Sequence, residues 1–108
     1  MQKRSGNTIL GNTGGKGLDR EQAEAIGLAA LGFLAEEPKR LGRFLSLSGM
    51  DPAELSAQAA TPHLQAALLE HILGDETLLL VFTAEKRIDP AQVRPAHALL
   101  ADDRGMDV

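Results

Sequence analysis

The sequence predicts an all-α fold, a compact bundle of five to six short helices with a disordered Gly-rich N-terminal tail. Three N-capping residues, Asp51, Thr61 and Asp89, each stand directly before a proline. At such a site the capping oxygen accepts from the free N–H groups of the first helical turn, and proline at the first helical position has its φ preset. Leucine-rich runs with helical spacing follow, and the 108 residues include three Phe and no Tyr or Trp. Both features favour helices over strands.

The first predicted helix covers residues 20–36 and has Asp19 as its cap. Its residues are apolar over most of the circumference, so we expect it to lie at the centre of the bundle. Glycine weakens a helix interior, so Gly27 and Gly32 are either tolerated weak spots or positions where another backbone packs closely. The apolar circumference of the helix favours close packing.

A pair of helices joined by a turn at Gly49 is predicted next. The first of the pair begins at Pro38, behind Glu37, which is a poorer capping residue than Asp. Gly49 ends this helix, because glycine readily takes the left-handed conformation that helix C-termini favour. The second helix of the pair is short and covers residues 52–59.

Three further helices are predicted over residues 62–73, over residues 76–86 and from Pro90 onwards. The middle one contains the continuous apolar run at 78–82, Leu-Leu-Leu-Val-Phe, which shows no period and could also form a buried strand. A strand would have no partner, because no other segment is rich in β-branched or aromatic residues, so helix is favoured. A helix that is apolar all round belongs in a core or at a subunit interface, and we expect the central position. Pro95 should delay or bend the last helix.

Composition and charge divide the chain into a disordered tail at 1–18, a helical domain at 19–101 and a flexible C-terminus at 102–108. The tail holds five of the eleven glycines, three basic residues and no acidic one. Since the whole chain has a formal net charge of −4 and the tail carries +3, residues 19–108 carry −7. An acidic domain repels DNA and anionic membranes, which disfavours both as partners.

The chain contains no cysteine, no apolar signal-peptide region and no apolar run long enough to span a bilayer. Disulfides, thiolate chemistry and Cys-ligated metals are therefore excluded, and we expect a cytoplasmic protein without a membrane segment. We also expect a monomer or a weak homodimer, because a central position of the run at 78–82 would leave little apolar surface for association.

No pattern of catalytic, cofactor-binding or metal-binding residues meets its spacing requirement, so we predict that the protein is not an enzyme and has no cofactor. The segment 11–16 resembles a phosphate-binding loop, but one residue is missing before its Gly-Lys pair, glycine follows where Ser or Thr is required, and no strand precedes it. The chain has three histidines, and none has the neighbours that a HExxH-type metal site requires. They are His63, His71 and His97.

The leading functional hypothesis is a non-enzymatic interaction module that binds an unknown protein partner through an apolar patch. Helices with apolar residues at helical spacing form grooves for a partner helix. The candidate partner-binding residues are Leu47, Met50 and Leu55, around the turn at 49–51. A second candidate is the run at 78–82, and each of these residues could instead belong to the core.

The alternative hypothesis is a nucleic-acid-associated accessory protein that uses the basic tail and a basic patch on the second helix. That patch consists of Lys39, Arg40 and Arg43. A helix-turn-helix at 38–59 has suitable geometry, but its second helix contains Glu54 and no Lys or Arg that reaches phosphates or guanine edges. The sequence therefore ranks nucleic acid below a protein partner, and a small-molecule enzyme third.

Part of the chain resembles a family of short alphaproteobacterial proteins known only as a domain of unknown function. The resemblance lies in the motifs GFLAEEPKRLGRFL, LSG and DP, with further matches at 75–76 and 79–80, and it is most specific over 38–55. It covers about residues 20–100, and the family usually has Asp where this chain has Glu37. The resemblance implies a cytoplasmic bacterial protein with an all-helical domain, and it supplies no activity, cofactor or catalytic residue.

Overall fold

The computed structural model describes residues 18–106, with side chains described for 18–102. This part of the chain forms six α-helices, one 3₁₀ turn and no strand, which confirms the predicted all-α fold. The elements in chain order are α1 (Arg20–Ala35), α2 (Pro38–Ser48), α3 (Pro52–Gln58), α4 (Pro62–Leu73), α5 (Glu76–Lys86), the 3₁₀ turn (Pro90–Gln92) and α6 (Val93–Met106).

Side-chain caps set the start of five of these elements. At α1 the Asp19 carboxylate accepts from the backbone N–H of Gln22 at 2.8 Å, and the Gln22 side chain accepts from the backbone N–H of Asp19 at 2.9 Å. The same reciprocal pair joins Asp51 and Glu54 at α3. The remaining three caps are Thr61, Asp75 and Asp89. Each cap contributes about 1 kcal/mol, whereas Glu37 makes no capping bond at α2.

Three helices, α1, α4 and α6, pack against one another and enclose most of the hydrophobic core. The predicted central position of the first helix is therefore confirmed. Fully burying one Leu or Phe side chain contributes about 1.5–3 kcal/mol, so these helices supply most of the apolar stabilisation. Their completely buried side chains include Ala23, Ala30, Phe33 and Leu34 of α1, Leu64, Leu68, Leu69 and Ile72 of α4, and Val93, Ala96 and Leu100 of α6.

The α2–α3 pair lies outside this three-helix core and is attached to it by few side chains. Phe44 is the buried residue of α2, and Leu55 is the buried residue of α3. Arg40 adds a cation–π contact, with its guanidinium carbon 4.1 Å from the centroid of the Phe33 ring, and its Nη1 donates to the Phe33 carbonyl at 3.4 Å. Partial burial against the core extends to Leu41, Leu45 and Met50.

Glycines occupy three distinct environments in α1 and at the end of α2. Gly49 has a φ of 74°, which confirms the left-handed helix end predicted there. Gly27 packs against α4 so closely that a Cβ at this position would lie 2.7 Å from the Cβ of Gln65. The predicted close packing is found here, with the side chain of Gln65 rather than a backbone as the neighbour. Gly32 was expected to make a similar contact, and this expectation was wrong, because a Cβ there would have no atom within 4 Å.

The helix α5 lies at the edge of the bundle, so the predicted central position of the run at 78–82 is wrong. Within the run only Phe82 is fully buried, where its ring centroid lies 5.2 Å from that of Phe33, while the Leu80 side chain is 52% exposed. The physical reason is that α1, α4 and α6 already cover one another's apolar faces. The fifth helix therefore closes one side of the bundle and leaves Leu80 in solvent.

Pro95 delays the regular helix α6, as its position in the sequence predicts. The chain first forms the 3₁₀ turn and becomes α-helical at Val93. Pro95 therefore falls in the first turn of α6, where a backbone N–H would have no partner within the helix.

The predicted domain limits at residues 18 and 101 fall close to the ends of the described chain. Leu18 is half-buried and packs against the core, and α6 continues beyond residue 101 to Met106. The predicted tail, apart from Leu18, lies outside the described residues, as do the last two residues of the predicted flexible C-terminus.

Candidate functional site

The three candidate partner-binding residues do not share one surface. Leu47 is 68% exposed, Met50 is partly buried against the core, and Leu55 is only 8% exposed. Leu55 is the buried residue of the short helix α3 and holds this helix against the domain. The predicted patch therefore breaks up, and Leu47 is its exposed member.

The predicted basic patch is also divided. Arg40 is half-buried and is engaged by the ring and the carbonyl oxygen of Phe33. Lys39 and Arg43 are exposed and lie four residues apart on α2. The cation of Arg40 stabilises the packing of α2 on α1, so the three basic side chains do not form one uniform surface.

A groove runs between α2 and α4, with Leu47 on one wall. Its apolar end is a shallow cavity of about 280 Å³ lined by Phe44, Leu47, Ser48, Ala67, Glu70 and His71. Its charged end, where α4 gives way to α5, is a wider depression of about 480 Å³ lined by Arg43, Leu47, Glu70, His71, Gly74, Asp75 and Glu76. We call these two connected depressions the α2–α4 groove.

The floor of the α2–α4 groove contains an aromatic pair. The ring centroids of Phe44 and His71 lie 5.4 Å apart with the rings nearly perpendicular, at 78°. Burial lowers the pKa of His71 below its ordinary value of 6.5, the positive charge of Arg43 lowers it further, and the carboxylate of Asp75 acts in the opposite direction. Burial and Arg43 therefore favour the neutral form of the imidazole on the floor of the groove.

The rim of the charged end is predominantly acidic. Glu70, Asp75 and Glu76 contribute three carboxylates, against the single guanidinium of Arg43. The Glu70 side chain is 79% exposed, and its Oε1 lies 3.9 Å from Nε2 of His97 on α6. Asp75 caps α5 by accepting from the backbone N–H of Leu78 at 3.1 Å.

The family to which the chain belongs follows from a comparison with family profiles. The profile described as "Protein of unknown function (DUF3572)" matches residues 20–103, which is more than three-quarters of the chain. The chain belongs to the DUF3572 family. The resemblance to a family of unknown function is thereby confirmed, and no curated protein and no solved structure matches the chain. The DUF3572 match begins at the first residue of α1 and reaches α6, so it includes both walls of the α2–α4 groove.

The described part of this DUF3572 chain contains no group of three His, Asp or Glu side chains that could hold a metal ion. His63 and His97 line a separate depression of about 250 Å³ between α4 and α6. Glu70 is the acidic residue between them, so this surface offers two imidazoles and one carboxylate without the geometry of a metal site.

Among the helices that the structure describes in this DUF3572 chain, none combines the length and the apolar character needed to cross a lipid bilayer. The side chains at the core of these helices are apolar, with two polar exceptions, Gln65 and Thr83. The Thr83 hydroxyl donates to carbonyl oxygens of the preceding turn of α5, whereas Oε1 of Gln65 is buried without a hydrogen-bond partner.

On the α2 wall of the groove, sequence reasoning named Leu47 as a partner-binding candidate and Arg43 as part of a basic patch, and it missed the α4 wall. Ala67 and His71 lie four residues apart and therefore on one face of α4, flanking the fully buried Leu68 and Ile72. The helical spacing of Ala67, Glu70 and His71 indicates that one side of α4 carries both apolar and polar residues. This spacing could not have shown that α2 lies opposite that side.

Proposed function

We propose that this protein is a non-enzymatic interaction module, and that its α2–α4 groove receives an apolar side chain from a helix of a partner protein. The observation that carries the proposal is the position of Leu47. Its side chain is 68% exposed, the highest value among the exposed large apolar residues of the described chain. It stands beside Phe44 and Ala67 in a concave site, where a partner side chain would be contacted from both helices.

The shape of the groove fits recognition of a helix better than recognition of a small molecule. Both depressions are shallow and open, and their walls are the sides of two helices. Amphipathic partner helices bind in such grooves by inserting apolar anchors spaced along one face. A small-molecule site would need a more enclosed cavity with converging polar groups.

The absence of enzymatic activity is part of the same proposal. His71 packs edge-on against Phe44, and burial and Arg43 favour its neutral form. His97 is near the exposed carboxylate of Glu70, and neither histidine has a hydrogen bond to a Ser or Thr hydroxyl among the described side-chain hydrogen bonds. Nothing in the groove thus resembles an activated nucleophile.

Nucleic-acid association stays the alternative prediction. It would use Lys39, Arg43 and the basic residues of the tail, and the engagement of Arg40 with Phe33 weighs against it. We further propose a cytoplasmic bacterial location, which the cysteine-free composition supports, and a protein that is a monomer or a weak homodimer when no partner is bound.

Site-specific photo-crosslinking in cells of the source organism tests the proposed function. A crosslinking amino acid replaces Leu47 in the groove, and matched variants carry it at Leu28 of α1 and at Leu80 of α5, which are 50% and 52% exposed. We expect a discrete protein adduct from position 47 and none from the two control positions. Equal adducts from all three positions, or none from position 47, would refute the proposal, and an adduct to nucleic acid would favour the alternative.

A further inference from the structure

The two ends of the α2–α4 groove differ in chemistry, and their separation is set by α4. We call these ends the apolar subsite and the charged subsite. The two ends meet at Leu47, Glu70 and His71, which line both depressions. Beyond this shared middle, Ala67 lines only the apolar end, and Gly74 lines only the charged end, seven residues further along. At a rise of about 1.5 Å per residue, these outer limits are about 10 Å apart, or about two helical turns.

The charged subsite favours a basic group. The carboxylates of Glu70, Asp75 and Glu76 outnumber the guanidinium of Arg43, so the formal charge of these four side chains is −2. Residues 19–108 as a whole carry a formal charge of −7, so the wider field of the domain has the same sign. Charge complementarity across an interface selects partners and accelerates their association.

A second copy of the chain fits this groove poorly. In a two-fold dimer the same surface patch is used by both copies, so two acidic rims would approach each other. Like charges placed opposite each other across an interface disfavour that partner. The negative rim repels nucleic acid in the same way. The charge of the groove therefore favours a basic segment of another protein as the occupant, and the chain's own basic tail is an outcome that the test below distinguishes.

Building on the proposed function, we propose that the partner is a helix with an apolar anchor and, seven residues along the same face, a Lys or Arg. The anchor occupies the apolar subsite beside Phe44, Leu47 and Ala67. The basic side chain reaches the carboxylates of Glu70 and Glu76. Residues seven apart on a helix lie about 10 Å apart on one face, which matches the distance between the outer limits of the two subsites at Ala67 and Gly74.

Synthetic helical peptides test this proposal on the full chain by heteronuclear NMR titration. Three peptides share one apolar face and carry Lys, Gln or Glu at the position seven residues from the anchor. At low salt we expect the Lys peptide to bind about fivefold more tightly than the Gln peptide, because two exposed ion pairs each contribute modestly. The Glu peptide should bind more weakly than both, and added salt should reduce the differences.

Paired charge variants localise the effect to the rim. Glu70→Gln with Glu76→Gln should reduce the preference for the Lys peptide to about twofold or less. The control is Glu21→Gln with Glu85→Gln, which removes the same charge from exposed positions of α1 and α5 and should keep the preference. Asp75 is left intact because it caps α5. An equal loss of preference in both double variants would overturn the proposal, because it would assign the effect to overall charge.

The outcomes separate this inference from the proposed function. If no peptide binds, both fail. If all three peptides bind with equal affinity and Leu47→Ser abolishes binding, the groove is a docking site and only the basic partner is refuted. If the NMR signals of groove residues shift with protein concentration before peptide is added, the occupant is a second copy of the chain. If these signals shift when Lys3, Arg4 and Lys16 are replaced by Gln, the occupant is the chain's own tail. Either result would overturn the proposal.

Discussion

Replacing Gly27 by alanine should destabilise the protein, whereas the same replacement at Gly32 should stabilise it. Both residues lie inside α1, where alanine is favoured over glycine by about 1 kcal/mol because glycine loses more backbone entropy on folding. Helix propensity alone therefore predicts the same gain at both positions. The difference between them comes from the surroundings of the added methyl group.

The added Cβ at Gly27 would lie 2.7 Å from the Cβ and 3.0 Å from the Cγ of Gln65. A Cβ is fixed by its own backbone, so it cannot rotate away as the end of a long side chain can. The clash is relieved only if α1 and α4 move apart, and overpacking of this kind costs about 1–3 kcal/mol. With the propensity gain included, we expect a net loss of about 1 kcal/mol for Gly27→Ala and a gain of about 1 kcal/mol for Gly32→Ala, where no atom lies within 4 Å.

Thermal unfolding followed by circular dichroism measures the difference. About 2 kcal/mol between the two variants corresponds to about 10 °C in Tm for a domain of this size. Gly32→Ala is the matched control, since it makes the same chemical change in the same helix. An increase in Tm for Gly27→Ala equal to that for Gly32→Ala would refute the close packing of α1 on Gln65.

Three further predictions concern single residues. Gly49→Val should lower the free energy of unfolding by about 1–2 kcal/mol, because a β-branched residue is strained at a φ of 74°; an unchanged Tm would contradict the left-handed helix end. The pKa of His71 is lowered by burial and by Arg43, so the unfolded chain takes up a proton before the folded chain as the pH falls. The contribution of this histidine to the free energy of unfolding should be complete above pH 6.5 and be lost as the pH falls below that value. Urea unfolding of His71→Gln should show a smaller decrease in the free energy of unfolding over the same pH range. Gln65→Met should raise the free energy of unfolding by about 1 kcal/mol, because it removes a buried oxygen without a partner; a lower Tm would indicate that the amide is satisfied by water.

Local signals in the sequence predicted the helices well. The predicted helix bounds 62–73 and 76–86 are confirmed. They were predictable because a helix start depends on its capping residue, and a helix end on a glycine or a charged residue, through interactions within one turn. Asp19 likewise caps α1 as predicted. Arg87 takes a φ of 57° at the end of α5 and was not anticipated, since arginine carries no sequence signal for that conformation.

Arrangement in space was harder to predict than the helices themselves. An apolar run such as that at 78–82 shows that a helix has apolar sides, but not whether neighbours cover them, and Leu80 proved to be exposed. The sequence likewise left open whether Leu55 belongs to an apolar patch or to the core, and only the packing of α3 shows that it is buried. The groove beside Leu47 requires α2 to lie across α4, and the contact between these helices joins Phe44 and His71, which are 27 positions apart in the chain.

The sparse attachment of α2 and α3 has a consequence for motion. Local opening of a structure requires little free energy where few apolar side chains are buried, and here one buried residue per helix, Phe44 and Leu55, anchors the pair. Amide hydrogens of α2 and α3 should therefore exchange with solvent sooner than those of α1 and α4. We therefore expect the α2 wall of the groove to open more readily than the α4 wall, so that local opening would change the width of the groove.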